Sequence, residues 1–325
     1  MIKHNFVRLP RRSIGTAAGL VTCAAMLAAC SSSAQPSANS VSQPTAQSAS
    51  NSPSPGAPAS GQAGTVNAAL RAQLPASVRQ SGELTVATSA DYPPFESIGL
   101  GSTTIVGFDP DLGDALGEVL GIRVNFINAG FDGLIPGLAS GKYEAVMAGI
   151  QDKRNREQVV TFVDYLSSGS VLAVAQGNPQ NISSFTSLCG KPVAVETGTT
   201  QVAFANSEST QCTGSGKASI GVQVFNTEND ANLALSSGRV DAVFAETATQ
   251  AYAVQQSTGH LQIVGPVYDK QHVGIAVPKG QTGLADALKG AVRQLITNGD
   301  YHTLLAKWSL TSGAIDAPVI NQPYS

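Results

Sequence analysis

Histidine and cysteine are scarce in this sequence, and that scarcity narrows its chemistry. Only His4, His260, His272 and His302 occur, none in a motif, so the chain encodes neither a zinc cluster nor a nucleophile with a paired histidine base. It also lacks a glycine-rich phosphate loop. No catalytic residue, metal or cofactor is therefore expected. Long apolar runs are missing as well. The longest, from about Ile14 to Ala29, holds roughly 16 residues, short of the ~20 that span a bilayer.

That run has a different use. Lys3, Arg8, Arg11 and Arg12 precede it and no charge interrupts it, the layout of a secretory signal over residues 1–29. It ends in Leu27-Ala28-Ala29-Cys30, which resembles the bacterial lipobox. Cys30 is thus the expected first residue of the mature chain and its lipid attachment site, which places the protein outside the cell, anchored at the outer membrane face or in a periplasm. Arg11-Arg12 fits a twin-arginine signal poorly because Ser-Ile-Gly follows, so the sequence leaves the export route open. Removal of the signal leaves 15 basic against 22 acidic side chains. This mildly acidic balance argues against nucleic acid as a partner.

Residues 30–65 are almost wholly Ser, Ala, Pro, Gln, Asn and Gly, with no aromatic and one β-branched aliphatic, Val41. Such a segment cannot bury enough apolar surface to offset its backbone entropy, and a disordered tether is expected. Cys23 lies in the signal, so Cys189 and Cys212 alone remain to pair. In an oxidising compartment their disulfide would stabilise the fold by roughly 3 kcal/mol.

The remainder, from 66 to 325, exceeds what one compact core usually holds, so two lobes are expected. Strand-like and helix-like runs alternate. Leu84 to Thr88 reads as a strand, Asp109 to Leu120 as a helix, and Val124 to Ile127 as a strand. Asp132 reads as the N-cap of a helix reaching about Ser140, Gly141 as its stop, and Ala145 to Ala148 as the next strand. Further strands fall near Val193 to Glu196, Val222 to Phe225 and Ala242 to Ala245. The fold class is α/β, with parallel sheets covered by helices. Near the C-terminus, Leu284, Leu288, Val292, Leu295 and Ile296 keep helical spacing, Asn298-Gly299 breaks it, and a second helix runs from Tyr301 to Trp308, whose indole reads as a packing group.

One internal similarity sharpens this. Residues 138–148, Leu-Ala-Ser-Gly-Lys-Tyr-Glu-Ala-Val-Met-Ala, align without gaps to 235–245, Leu-Ser-Ser-Gly-Arg-Val-Asp-Ala-Val-Phe-Ala. Each copy is a helix end, a glycine turn, an acidic residue and a buried strand. The pair implies related lobes flanking a cleft. Ligands bind at the carboxyl ends of strands in open α/β sheets, so Gly149 to Gln151 and Glu246 become site candidates.

At this point the chain resembles the polar amino acid class of bacterial extracellular solute-binding proteins, receptors of ABC importers. The resemblance rests on Asp91-Tyr92-Pro93-Pro94-Phe95-Glu96, Gly107-Phe108-Asp109, Phe131-Asp132-Gly133-Leu134, Arg156 with Phe162, Gly198-Thr199-Thr200-Gln201, Gly238-Arg239-Val240-Asp241-Ala242 and Gly299-Asp300-Tyr301. It implies a type II periplasmic-binding-protein fold, each lobe a central sheet flanked by helices and two hinge strands joining them. The expected division is 66–171 for the first lobe, 172–268 for the second, and 269–325 for a return to the first. It further implies an amino acid or related amine as ligand, a monomer, and an ABC transporter permease as partner.

The chemistry of an amino acid singles out the same residues. Arg156 offers a planar two-pronged donor for a carboxylate, with Arg154 as its rival. Thr199 and Thr200 open a helix whose free amides suit an anion. Glu246 stands where relatives carry an aspartate for the ammonium group, and Tyr92 and Phe131 where they place aromatic rings. Gln151 is bulkier than the usual hydroxyl residue. Receptors for cationic side chains often carry an acid three residues before the site tyrosine, where this chain has Ser89, with Asp91 adjoining the tyrosine instead. A polar or uncharged amino acid is therefore the expected ligand. Two other readings fit the scaffold: a cleft enzyme of the cyclohexadienyl-dehydratase type with Glu246 as general acid, and a module presenting ligand to a sensor.

Overall fold

Two α/β halves are strung on a pair of long strands in the computed structural model, which describes residues 66–99 and 101–323. The expectations for the signal, Cys30 and the tether lie outside the described residues.

The first half opens with two short helices, α1 (Ala68–Gln73) and α2 (Ala76–Ser81), and continues into β1 (Glu83–Thr88). A small antiparallel sheet follows, of β2 (Asp91–Tyr92), β3 (Glu96–Ile98) and β4 (Ile105–Val106). Then come α3 (Phe108–Leu120), β5 (Arg123–Asn128), α4 (Leu134–Ala139), β6 (Ala145–Val146), α5 (Arg154–Glu157) and the first long strand, β7 (Val160–Ala175). In the second half the chain forms β8 (Pro192–Glu196), α6 (Thr200–Gly214), β9 (Gly221–Phe225), α7 (Glu228–Ser236), β10 (Ala242–Glu246) and α8 (Thr247–Gln256). It returns through the second long strand, β11 (Leu261–Pro278), to α9 (Thr282–Asn298), α10 (Asp300–Lys307) and β12 (Val319–Ile320).

The other strands share one sheet in the order β5-β1-β6-β11-β7-β10-β8-β9, with β12 on β7. Pairing is parallel within each half, β1 with β5 and β6, β8 with β9 and β10. It is antiparallel along β7 and β11, the connections between halves. Their register shifts between Val264 and Tyr268 and again between Tyr268 and Gln271, so the ladder is interrupted where the chain passes from one half to the other. This is the two-lobed architecture with two joining strands that the family resemblance implied.

Each lobe has its own core. Leu84, Val86, Leu112, Leu116, Leu288 and Val292 are buried together in the first, where the apolar faces of α3 and α9 meet the sheet. In the second, Phe185, Phe244 and Tyr268 pack edge to face, with Phe185 and Phe244 centroids 4.7 Å apart. Cys189 and Cys212 are joined, their α-carbons 5.7 Å apart. The two copies of the internal similarity fold alike, one per lobe: α4 and α7 both end ahead of a left-handed glycine, Gly141 at φ +76° and Gly238 at φ +71°, before β6 and β10. Trp308 packs on the first core, and its indole N–H donates to Asp111 Oδ2 at 2.6 Å.

Two local expectations need correction. Asp132 is not an N-cap. It lies inside a 3-10 turn, Phe131–Gly133, that precedes α4, and no side chain caps that helix. The turn tightens early because Phe131 is drawn into the core with Leu134 and Leu138, leaving Asp132 exposed. The strand expected through Ala148 stops at Val146, because the chain bends toward Gly149, which takes φ +54°.

Candidate functional site

The two lobes meet at a cleft bridged by hydrogen bonds from Arg156 to Gly198 and from Thr200 to Gln151. The first lobe carries Tyr92, Phe131, Gly149, Gln151 and Arg156, and the second Glu196, Gly198, Thr199, Thr200, Glu228 and Glu246.

Arg156 sits on the single turn of α5. Its Nη1 donates to Gln151 O at 2.9 Å and its Nη2 to Gly198 O, in the opposite lobe, at 3.1 Å. The guanidinium carbon lies 5.8 Å from the Phe131 ring centre, a cation–π approach. Burial lowers its pKa to about 10, against the supporting charges of Tyr92 and Asp152, so it stays protonated at neutral pH. Arg154, its rival, is exposed.

A second bond crosses the cleft, from Thr200 Oγ1 to Gln151 Oε1 at 2.6 Å, while Gln151 Nε2 is buried without a partner. Thr199 precedes α6 but does not cap it; its hydroxyl donates to Glu196 O at 2.7 Å. Tyr92 and Phe131 are both buried, their ring centres 6.3 Å apart and tilted 30°. Gly149 spends its amide on Asp109 Oδ2 at 3.0 Å, and its missing side chain makes room for two rings: a Cβ there would lie 3.0 Å from Phe95 and 3.3 Å from Tyr92.

Glu246 is pinned at the end of β10. Its Oε2 accepts the amides of Ala248 at 2.8 Å and Thr249 at 3.0 Å, which caps α8, and its Oε1 accepts the Ser168 hydroxyl. Burial raises its pKa, and these donors hold part of the rise back. The Tyr92 hydroxyl is pushed well up by burial and by the charges of Glu246, Glu228 and Glu196.

Those last two glutamates escaped the sequence reading. Glu196 ends β8 as Glu246 ends β10, yet neither of its carboxylate oxygens has a hydrogen-bond partner and it is 2% exposed. Burial, Asp91 and Asp132 lift its pKa to about 8. Glu228 begins α7 just beyond β9, and its Oε1 accepts Gln250 Nε2 at 2.5 Å and Asn232 Nδ2 at 3.1 Å. Across the cleft, Asp91 Oδ1 accepts the Ser89 hydroxyl at 3.0 Å, while Oδ2 is buried without a partner. The signal was available. Val193-Ala194-Val195-Glu196 puts one charged residue at the end of an apolar strand, the position that marked Glu246.

Comparison with known proteins identifies the family. The family model for bacterial extracellular solute-binding proteins, family 3, matches residues 84–311. The putative ABC transporter arginine-binding protein 2 of Escherichia coli is 34% identical over 245 residues, 74% of this chain and 96% of that protein. The arginine-binding protein ArgT of Corynebacterium glutamicum is 29% identical over 78% of this chain and 83% of its own length. Among solved structures, an ancestral arginine-binding protein bound to arginine superposes with a TM-score of 0.64 at 34% identity, covering 70% of this chain and 98% of that one.

Proposed function

The chain belongs to the bacterial extracellular solute-binding proteins of family 3, and from that premise we propose that its cleft captures a free amino acid and delivers it to an ABC importer. The observation that carries the reading is Arg156, a half-buried guanidinium bonded to both sides of the cleft and set against the Phe131 ring.

An α-amino acid brings a carboxylate and an ammonium group into a space that closure dries, and each must exchange water for a fixed partner. In our reading Arg156 takes the carboxylate together with Thr199, Thr200 and the amides opening α6. Gln151 lies beside them and trades its bond with Thr200 for one to the ligand. Glu246, held rigid by α8, faces the ammonium, and Tyr92 and Phe131 enclose the side chain with Gly149 beneath them. Because partners come from both lobes, a ligand touching both favours the closed form, the differential affinity that a closure switch requires. We place the lobe boundaries in the long strands, near residues 172 and 268. The relatives are binding proteins rather than enzymes, which supports transport over catalysis. The family is extracellular; lipid attachment at Cys30 and the tether would hold the receptor near its permease.

A thermal-shift screen over the amino acids tests this. At least one is expected to stabilise the chain, and the effect is expected to vanish in Arg156→Ala. A full screen with no stabilising amino acid would reject the reading.

A further inference from the structure

The carboxylates of the cleft outnumber its cations, and two of them, one from each lobe, have buried oxygens without a partner. Resting on the amino-acid reading above, we propose that the ligand carries a second positive group, guanidinium or ammonium, on its side chain. That group is held between Glu196 of one lobe and Asp91 of the other, and it is what permits closure.

The argument is an accounting of charge. A ligand's α-carboxylate is answered by Arg156 and its α-ammonium by Glu246. Glu228 is buried, but Gln250 and Asn232 already donate to it. Glu196 is different: it is 2% exposed, both of its oxygens lack a donor, and nothing on its own lobe satisfies them. Asp91, from the other lobe, also has its Oδ2 buried without a partner, and its charge makes Glu196 harder to ionise. Asp132 and Glu228 add negative charge from either side, and Asp230 adds more at Asp91.

A buried charge without a counter-charge costs far more than an exposed one. Bringing these lobes together therefore requires either a proton or a cation between Glu196 and Asp91. Among the described residues no three His, Cys, Asp or Glu side chains are arranged to hold a metal ion, so the cation is assigned to the organic ligand. This reverses the expectation drawn from Ser89. The acid that serves a cationic side chain is absent from that position but supplied by Asp91 two residues on and by Glu196 from the other lobe.

Isothermal titration calorimetry on the full-length chain with L-arginine, L-lysine, L-citrulline and L-glutamine tests the proposal. Citrulline keeps the shape of arginine and replaces its guanidinium with a neutral urea. Arginine, lysine or both should bind about 100-fold more tightly than the neutral pair. In Glu196→Gln that ratio should fall to about 10 or less, chiefly through weaker binding of the basic ligands. Asp91→Asn should compress it in the same direction, and serves as the test if Glu196→Gln does not fold. Citrulline or glutamine binding as tightly as the basic amino acids would overturn the inference and leave amino-acid binding intact. Equal weakening of all four ligands in both variants would also overturn it, by showing a structural role for the two acids. Failure of all four to bind would overturn this inference and leave the amino-acid reading to the full thermal-shift screen.

Discussion

Gly198 lies against Asp132 across the cleft so closely that a Cβ on Gly198 would stand 2.7 Å from Asp132 Cα. At φ +75° Gly198 also occupies the left-handed region, where a side chain costs about 1–2 kcal/mol. Backbone from one lobe thus meets backbone from the other with no side chain to yield, and the Gly198 carbonyl is aimed at Arg156 as a result. Gly198→Ala is expected to fold but to close incompletely. Its ligand affinity should fall at least about tenfold, since the clash between the lobes acts against the bound form. Small-angle scattering at saturating ligand should give a radius of gyration above that of the liganded wild type. An unchanged radius and affinity would show that the lobes close without this contact.

Arg156 and Arg154 make a matched pair for mutation, one half-buried and held by two carbonyls and a ring, the other exposed two residues earlier. Arg156→Ala should weaken ligand binding by about 2–5 kcal/mol, because the ligand carboxylate is left buried without its fork. Arg156→Lys should recover only part of this, since an ammonium cannot reach Gln151 O, Gly198 O and a carboxylate in one plane. Arg154→Ala should bind like the wild type. Titration calorimetry on the three variants decides, and equal losses at the two arginines would refute the assignment.

Titration gives a prediction with opposite signs for folding and binding. Glu196 titrates near pH 8 in the fold against an unperturbed value of 4.5, so the folded state holds a proton there that the unfolded state has released. Asp164 at about 8 and Asp152 at about 7 behave alike, each raised first by burial. Unfolding in this window releases protons, and stability without ligand should fall as pH rises from about 5 through 8. A cationic ligand needs the Glu196 carboxylate ionised, so its affinity should instead rise over that interval and level off above it. Urea midpoints and calorimetric affinities from about pH 5 to pH 9 measure both slopes. Stability that climbs with pH would contradict the burial of these groups.

Much of this was readable from the chain because burial leaves periodic traces. The parallel strands end where the sequence changes from apolar to charged, as at Glu246, and the paired repeat turns at Gly141 and Gly238 exposed the two lobes before any topology was known. What was not readable depended on tertiary contacts. The role of Asp132 changed because Phe131 is drawn into the core of its own lobe and leaves the carboxylate exposed, where its charge acts on Glu196. Nothing within ten residues of Thr199 says that its hydroxyl turns back to the strand rather than to its own helix. Asp91 and Glu196, over a hundred residues apart in sequence, acquire their shared meaning only when β2 and β8 end on the same cleft.

The cross-link between Cys189 and Cys212 should matter for stability and not for recognition. Cys212 lies near the far end of α6, whose first turn carries Thr200, and Cys189 follows the short turn Phe185–Leu188 beneath that helix. The bond spans 23 positions of sequence, a loop whose closure restricts the unfolded chain by about 3 kcal/mol on the chain-entropy model. The folded lobe has an independent hold on α6, since Phe204 packs against Phe185 and Phe244 at 5.2 and 5.3 Å. Cys189→Ser with Cys212→Ser should therefore lower the urea midpoint while ligand affinity stays at the wild-type value wherever the variant remains folded. If affinity fell together with stability, α6 would depend on the disulfide rather than on its aromatic packing to present Thr199 and Thr200, and the cleft geometry described above would be a property of the oxidised chain alone.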